Sequence, residues 1–276
     1  MVSNPQPNLL YLADSLPVKF PSSFKRLDIL LTRLNIEWRF LPGTKDIWAR
    51  DYMPVQVGKD KFVQFTYNPG YLKNYQETIS DAEEICKAID IQSLKSAIKL
   101  DGGNIIKNGE IAILTNGIFK ENSDWDKVEL IKQIELLLEV KQIIIIPSDP
   151  SDFTGHADGM VRFVDDKTVL INKYNKTDQK LVTAIRESLE RYGLKCIEIP
   201  YNPYQNKHNM DAKGIYMNYL QIGNNIIVPV FEMHEDESVI KLFESVFPNY
   251  HINALLSNDI AKHGGILNCI SWSIYS

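Results

Sequence analysis

Met160-Val-Arg-Phe-Val-Asp-Asp-Lys-Thr-Val-Leu-Ile-Asn172 and Lys195-Cys-Ile-Glu-Ile199 are β-rich runs that enclose a stretch of helical apolar periodicity over 177–192. Asp165-Asp166 is a turn signal inside the first run, so that run predicts a short hairpin, and Thr177 is placed to cap the helix. The same grouping recurs outward in both directions. Helical periodicity appears over 22–35, 80–90, 124–140 and 236–246, with Ser80 and Asp124 as further caps. Between the helices lie β-rich runs, among them Ile36–Leu41, Phe62–Tyr67, Ala97–Ile106, Ile111–Thr115, Gln142–Pro147, Tyr216–Ile222, Ile226–Val230, His251–Leu256 and Ile266–Ile274. Lys107-Asn108-Gly109-Glu110 marks a hairpin turn. Five helix starts at intervals of roughly fifty residues suggest a structural repeat, each unit holding one helix and several short strands. A doubly wound sheet alternates in the same way. No Pro/Gly/Ser-rich linker divides the chain, so residues 1–276 read as a single domain.

The chain is 44% hydrophobic and 24% charged, ordinary for a globular protein able to bury a core. A net charge of −5, with no Lys/Arg run, argues against a nucleic-acid partner and for a small or peptide-like one. The N-terminal residues lack a basic region followed by an apolar core, and the apolar runs are strand-sized, which predicts a cytoplasmic protein with no membrane association. Cys86, Cys196 and Cys269 are odd in number and widely spaced, fitting reduced thiols. The five histidines, His156, His208, His234, His251 and His263, show no HxH or HExxH spacing, so no metal site is expected.

Four polar stretches interrupt this scaffold. In Asp46-Ile-Trp-Ala-Arg-Asp-Tyr-Met-Pro54, an extended chain would put Trp48 and Arg50 on one face and Asp51 on the other. An aromatic plane beside a carboxylate suits a flat cation; an internal Arg50–Asp51 ion pair is the alternative. Asp101-Gly-Gly-Asn104 displays an acid where the backbone permits close approach, or is an ordinary Asp-capped turn. In Thr154-Gly-His-Ala-Asp-Gly159, His156 and Asp158 share a side if the segment is a strand, an arrangement suited to general acid–base work and equally open to a satisfied core histidine. His263-Gly-Gly-Ile-Leu-Asn-Cys269 puts a lone thiol behind adjacent glycines in an apolar, strand-like tail, as a presented nucleophile or a core cysteine. Lys262 and His263 are expected to face solvent. Should these stretches converge, a Cys and a His with Asp51, Asp101 and Asp158 around them imply a positively charged electrophile, for which a guanidinium is the obvious candidate.

The ordered set Trp48-Ala-Arg-Asp51, Asp101-Gly-Gly-Asn104, Gly155-His-Ala-Asp158 with Arg162-Phe163, Tyr216-Met-Asn218-Tyr219, Val228-Pro-Val-Phe231 and Gly264-Gly-Ile-Leu-Asn-Cys269 resembles the agmatine deiminase and bacterial peptidylarginine deiminase family over nearly the whole chain. The resemblance implies an α/β fold, a five-bladed α/β propeller (pentein) with pseudo-fivefold symmetry. It implies deimination of a guanidino group through a covalent cysteine adduct, without cofactor, on agmatine (giving N-carbamoylputrescine) or on peptidyl arginine. Cys269 is then the nucleophile and His156 the proton shuttle. Asp51 and Asp158 grip the guanidinium, and Asp101 orients His156 or helps hold the cation. Trp48 and Arg50 belong to the substrate-binding set, and Asn218 matches the polar residue near the reacting carbon. An amidinotransferase on the same fold and a non-catalytic propeller binder are the alternatives, and a homodimer is implied by family habit alone. Two departures stand out: Asn268 replaces the histidine customary before the cysteine, and Ser271-Trp-Ser273 replaces a run of glutamines.

Overall fold

The computed structural model describes residues 6–276 apart from 209. The chain folds as five ββαβ units, each a three-stranded sheet. The first holds β1 (Leu9–Ala13) parallel to β2 (Glu37–Leu41), joined across the helices Leu16–Lys19 and Pro21–Arg33. In the second, β3 (Val55–Gly58) pairs antiparallel with β4 (Lys61–Thr66), and β4 runs parallel to β5 (Leu94–Lys99) across the helix Ala82–Ala88. The third repeats this with β6 (Ile106–Asn108), β7 (Ile111–Thr115) and β8 (Gln142–Ile146), crossing over through the helices Gly117–Glu121 and Lys127–Leu138. The fourth is the unit that opened the sequence reading: β9 (Val161–Phe163), β10 (Thr168–Lys173), the helix Gln179–Glu190 and β11 (Lys195–Pro200). The fifth holds β12 (Leu220–Ile222), β13 (Asn225–Val230), the helix Asp236–Val246 and β14 (His251–Leu256). The C-terminal β15 (Ser271–Ile274) then pairs antiparallel with β1, supplying the strand that the first unit lacks and closing the ring of units.

Two-sided burial explains the sequence of the middle strands. β1, β7, β10 and β13 are buried along nearly all their length, because parallel strands in such units are covered on both faces. They read as continuous apolar runs such as Leu9-Leu-Tyr-Leu-Ala13. The helices instead bury one stripe, as with Val182, Ile185 and Leu189 of Gln179–Glu190. Both expected hairpin turns form: Asn108 pairs with Ile111 around Gly109, and β9 returns as β10 past Asp165-Asp166.

Several expectations are corrected. β1 and β3 lie outside the predicted strands. Ala97–Ile106 is two strands separated by the 3₁₀ turn Gly102–Asn104; only Leu220–Ile222 of Tyr216–Ile222 and Ser271–Ile274 of Ile266–Ile274 are extended. In all three places, residues are buried because the chain crosses from one unit to the next through the interior, which mimics a strand in composition. The caps fall one or two residues later than expected. Asp81 accepts from the N–H groups of Glu83 and Glu84, and Asp126 from those of Val128 and Glu129. Ser80 instead accepts from the Lys45 N–H at 3.0 Å, tying down the approach to Trp48. Thr177 sits in a 3₁₀ turn with its N–H on Asn175 Oδ1, ahead of the helix.

Candidate active site

Each crossing between units contributes to one cluster. Trp48 and Asp51 lie between β2 and β3, Asp101 between β5 and β6, His156 and Asp158 between β8 and β9, Asn218 between β11 and β12, and Asn268 and Cys269 between β14 and β15. The local conformations are tight turns. Ala49–Tyr52 is one helical turn and Ala157–Gly159 is 3₁₀, so neither the Trp48–Asp51 nor the His156–Asp158 segment is extended. Asp51 and His156 meet all the same, because the turns aim them inward.

The cluster is bonded throughout. His156 Nε2 and Asp101 Oδ2 are 2.8 Å apart, and His156 Nδ1 lies 3.5 Å from Asp51 Oδ1. Asp51 Oδ1 also accepts the Gly103 N–H at 3.0 Å, and the Tyr71 hydroxyl donates to Asp101 Oδ2 at 2.8 Å. Asn218 Nδ2 donates to Cys269 Sγ at 3.0 Å, and Asp158 Oδ2 lies 3.8 Å from that sulfur. Asn268 Nδ2 donates to the same Asp158 oxygen at 2.7 Å. Asn218 Oδ1 accepts the backbone N–H groups of Asn268 and Cys269, fixing the turn that carries the thiol. Two glycines are required by space. A Cβ on Gly103 would sit 2.5 Å from Asp51 Oδ1 and 2.6 Å from His156 Nδ1; one on Gly265 would sit 2.6 Å from the Trp48 ring and 3.0 Å from Cys269 Sγ.

Burial of so many acids distorts their protonation. Desolvation pushes Asp51 up to about 8, with Asp101 and Asp158 adding to the rise and His156 opposing it. Desolvation would lower His156, but Asp51, Asp101 and Asp158 outweigh it and raise the imidazole to about 10. The two shifts compete for one proton across 3.5 Å. His156 keeps it into the alkaline range, because Asp101 at 2.8 Å remains its partner whether Asp51 is ionised or not. Burial, then Asp158 and Asp51, hold the Cys269 thiol well above its usual range, so the resting sulfur is protonated.

A cavity of about 560 Å³ opens over the cluster, walled by Trp48, Tyr71, Phe153, Tyr201 and Tyr204. Asp152, Asp178 and Asp211 also line it, with Lys207 as its one Lys or Arg among the described residues. Lys262 is exposed; His263 is exposed too, but at the cavity wall, with its ring 5.0 Å from that of Phe20. Arg50 does not line this cavity and belongs to a second one behind the cluster. Tyr71, which holds Asp101, carries no sequence signal, since it sits in the single 3₁₀ turn Gly70–Leu72 between β4 and the helix Ala82–Ala88. Asn268 is marked in the sequence only by its departure from pattern. Among the described residues no group of His, Cys, Asp and Glu is arranged as a metal site, and no helix is long and apolar enough to cross a membrane.

Known proteins share this architecture. A Cys-to-Ser variant of agmatine deiminase from C. jejuni, solved with substrate bound, superposes with a TM-score of 0.83 at 21% identity, covering 99% of this chain and 96% of that one. DDAH from Pseudomonas aeruginosa, a Cys-to-Ser mutant complexed with citrulline, superposes with a TM-score of 0.60 at 10% identity, covering 98% of this chain and all of that one. A curated relative from Photobacterium profundum, provisionally named an agmatine deiminase, is 24% identical over 276 aligned residues, 84% of this chain and 76% of the relative. The fold is therefore the five-bladed α/β propeller that the family resemblance implied, and not a doubly wound sheet. The model of the Porphyromonas-type peptidyl-arginine deiminases matches residues 23–274, and the chain belongs to that family.

Proposed function

We propose that the protein is a guanidine deiminase that hydrolyses agmatine to its ureido derivative and ammonia. The observation that carries this reading is the convergence of a thiol, a charged imidazole and three carboxylates at one point. Anionic walls around a neutral thiol are unsuited to a neutral acyl group and suited to a planar cation. A guanidinium seated between Asp51 and Asp158, against Trp48, brings its central carbon to Sγ. Its charge offsets the acids that suppress ionisation, so the thiol releases its proton on binding and the thiolate forms where it is needed. Thiolate addition to the cationic carbon gives a neutral tetrahedral adduct. His156 donates its proton to one nitrogen, which leaves as ammonia, and a cationic amidino-thioether remains. The now neutral His156 takes a proton from a water that adds to the same carbon. Collapse expels the Cys269 thiolate, and loss of a proton leaves the ureido group. Asp101 holds His156 by Nε2, and Asn218 steadies the sulfur.

The outer cavity supports agmatine over arginine. Asp152, Asp178 and Asp211 against Lys207 alone suit a distal ammonium and repel a carboxylate. Ureido product from a panel of agmatine, free arginine, arginine-terminated peptides and guanidinobutyrate is expected to be greatest for agmatine. Guanidinobutyrate, with a carboxylate in place of the amine, is expected to be turned over at least about tenfold more slowly. A preference for arginine-terminated peptides would replace agmatine by peptidyl arginine. Transfer of the amidino group to an added amine with no ureido product would make the protein an amidinotransferase.

Two further outcomes follow from the bonding. Asn268→Ala removes the 2.7 Å donor to Asp158 and leaves a buried carboxylate oxygen short of a partner; kcat/KM for agmatine should fall by about ten- to a hundredfold. Unchanged kinetics would show that Asn218, at 3.3 Å, suffices to place Asp158. Because the empty site suppresses the thiolate and the bound cation restores it, the acid limb of kcat should lie at lower pH than that of kcat/KM. Coincident limbs in the two pH profiles would contradict substrate-assisted ionisation.

A further inference from the structure

Consecutive residues at the hub face different spaces. Asp51 and Cys269 line the catalytic cavity, whereas Arg50 and Asn268 line a second one of about 360 Å³ behind it, and no residue lines both. The second cavity contains Arg50, Arg162 and Lys107 and not one Asp or Glu among the described residues, in a chain whose net charge is −5. Arg50 Nε is buried without a hydrogen-bond partner. Arg162 spends one N–H on the Tyr219 carbonyl at 3.2 Å and lies over the Tyr219 ring at 4.4 Å, which holds its guanidinium plane in one orientation. Tyr250 and Trp272 complete the walls. Burial and then the charge of Arg162 push the Arg50 guanidinium below its ordinary range, with Asp158 and Asp51 opposing from the catalytic side, so on the rear side the two cations repel with no acid between them.

Like charges held together around a hollow lined by neutral amides and aromatic rings, with no acid among them and one donor unpaired, are stabilised by an anion between them. We propose that this second cavity is a binding site for a small oxyanion, a phosphate or a carboxylate, gripped by Arg50 and Arg162 with Lys107 at its edge. Planar guanidinium forks match the paired oxygens of either group. The site is separate from the catalytic cavity and shares with it only the hub turns: Asn268 lines the rear cavity while its amide holds Asp158 at the front. Nothing in the deimination steps uses it.

The test uses the intact protein, with sodium phosphate and sodium succinate as probes and sodium chloride at matched ionic strength as reference. Thermal unfolding and isothermal titration should show a saturable effect of at least one probe beyond that of chloride, and the probe that acts identifies the oxyanion as phosphate or carboxylate. Lys107→Gln removes a half-buried charge at the edge and should weaken the effective probe about tenfold. Arg162→Lys keeps the charge over Tyr219 but loses the fork, and should weaken it at least as much. Absence of any saturable effect in the parent protein would mean that the arginines merely offset the catalytic acids through the hub, and the site would be withdrawn. Unchanged affinity in Lys107→Gln would also overturn it. Neither result bears on deimination, which is scored separately by ammonia release.

Discussion

Cys269→Ala should release ammonia from agmatine at least about ten-thousandfold more slowly than the parent protein while unfolding at nearly the same temperature. The size of the loss follows from the chemistry: without sulfur no covalent adduct forms, and water must attack the guanidinium directly. Preservation of the fold follows from how the residue is held. Its backbone N–H donates to Asn218 Oδ1 at 3.3 Å and its carbonyl accepts from the Arg50 N–H at 3.1 Å, and alanine keeps both. The Sγ atom is small and touches mainly polar groups, so its removal leaves little empty apolar space. Circular dichroism and a melting curve beside the ammonia assay separate the two effects. Turnover by a folded alanine variant at a rate comparable to the parent would remove Cys269 from the mechanism and with it the reading of the whole cluster.

The sequence carries the repeat through residues that face two ways. Middle strands covered on both sides must be apolar throughout, and helices covered on one side must be striped, so the alternation is legible from composition. Leu9–Ala13 escapes because the other half of its unit is at the far end of the chain: β15 reaches it from Ser271–Ile274, and local pattern cannot show a partner so distant. The crossings between units mislead in the opposite direction. Leu100, Tyr216 and Ile266 are buried without being in strands, because the chain there passes through the hub.

The same topology explains how much of the cluster can be read in advance. A hub that every unit must cross brings five separated stretches to one place, so polar residues in those stretches stand out against apolar neighbours. Asp51, Asp101, His156, Asp158 and Cys269 all have this signature, Asn218 enters through the family resemblance alone, and the structure gathers all six. Arg50 shares it too, yet it points to the rear, because in a single helical turn adjacent residues diverge by about 100° and cannot both face the front cavity. A face assignment based on an extended chain pairs it with Trp48, and the helical turn undoes that pairing. Tyr71 illustrates the other limit. It reaches Asp101 from a single 3₁₀ turn, too short for periodicity and with no polar motif to mark it.

The second large effect is expected from His156→Ala, which should lower kcat for agmatine by about a thousandfold. Two steps lose their proton carrier, the departure of ammonia and the activation of water. Added imidazole, small enough to enter the vacated space, should restore part of the rate. The variant also exposes what the imidazolium does for the fold. Its pKa is raised from 6.5 to about 10 by the surrounding acids, so its stabilising contribution is complete below pH 6.5 and is lost as pH rises through about 10. The gap in melting temperature between parent and variant should therefore be widest in mildly acidic solution and close toward pH 10. Removing the cation leaves Asp51, Asp101 and Asp158 facing one another with only Arg50 behind them as counter-charge until substrate arrives, so KM and kcat should change together rather than kcat alone. An unchanged rate in the variant would point to another base, with His263 at the cavity wall next in line. His263→Ala, expected to leave kcat intact, would then be the deciding comparison.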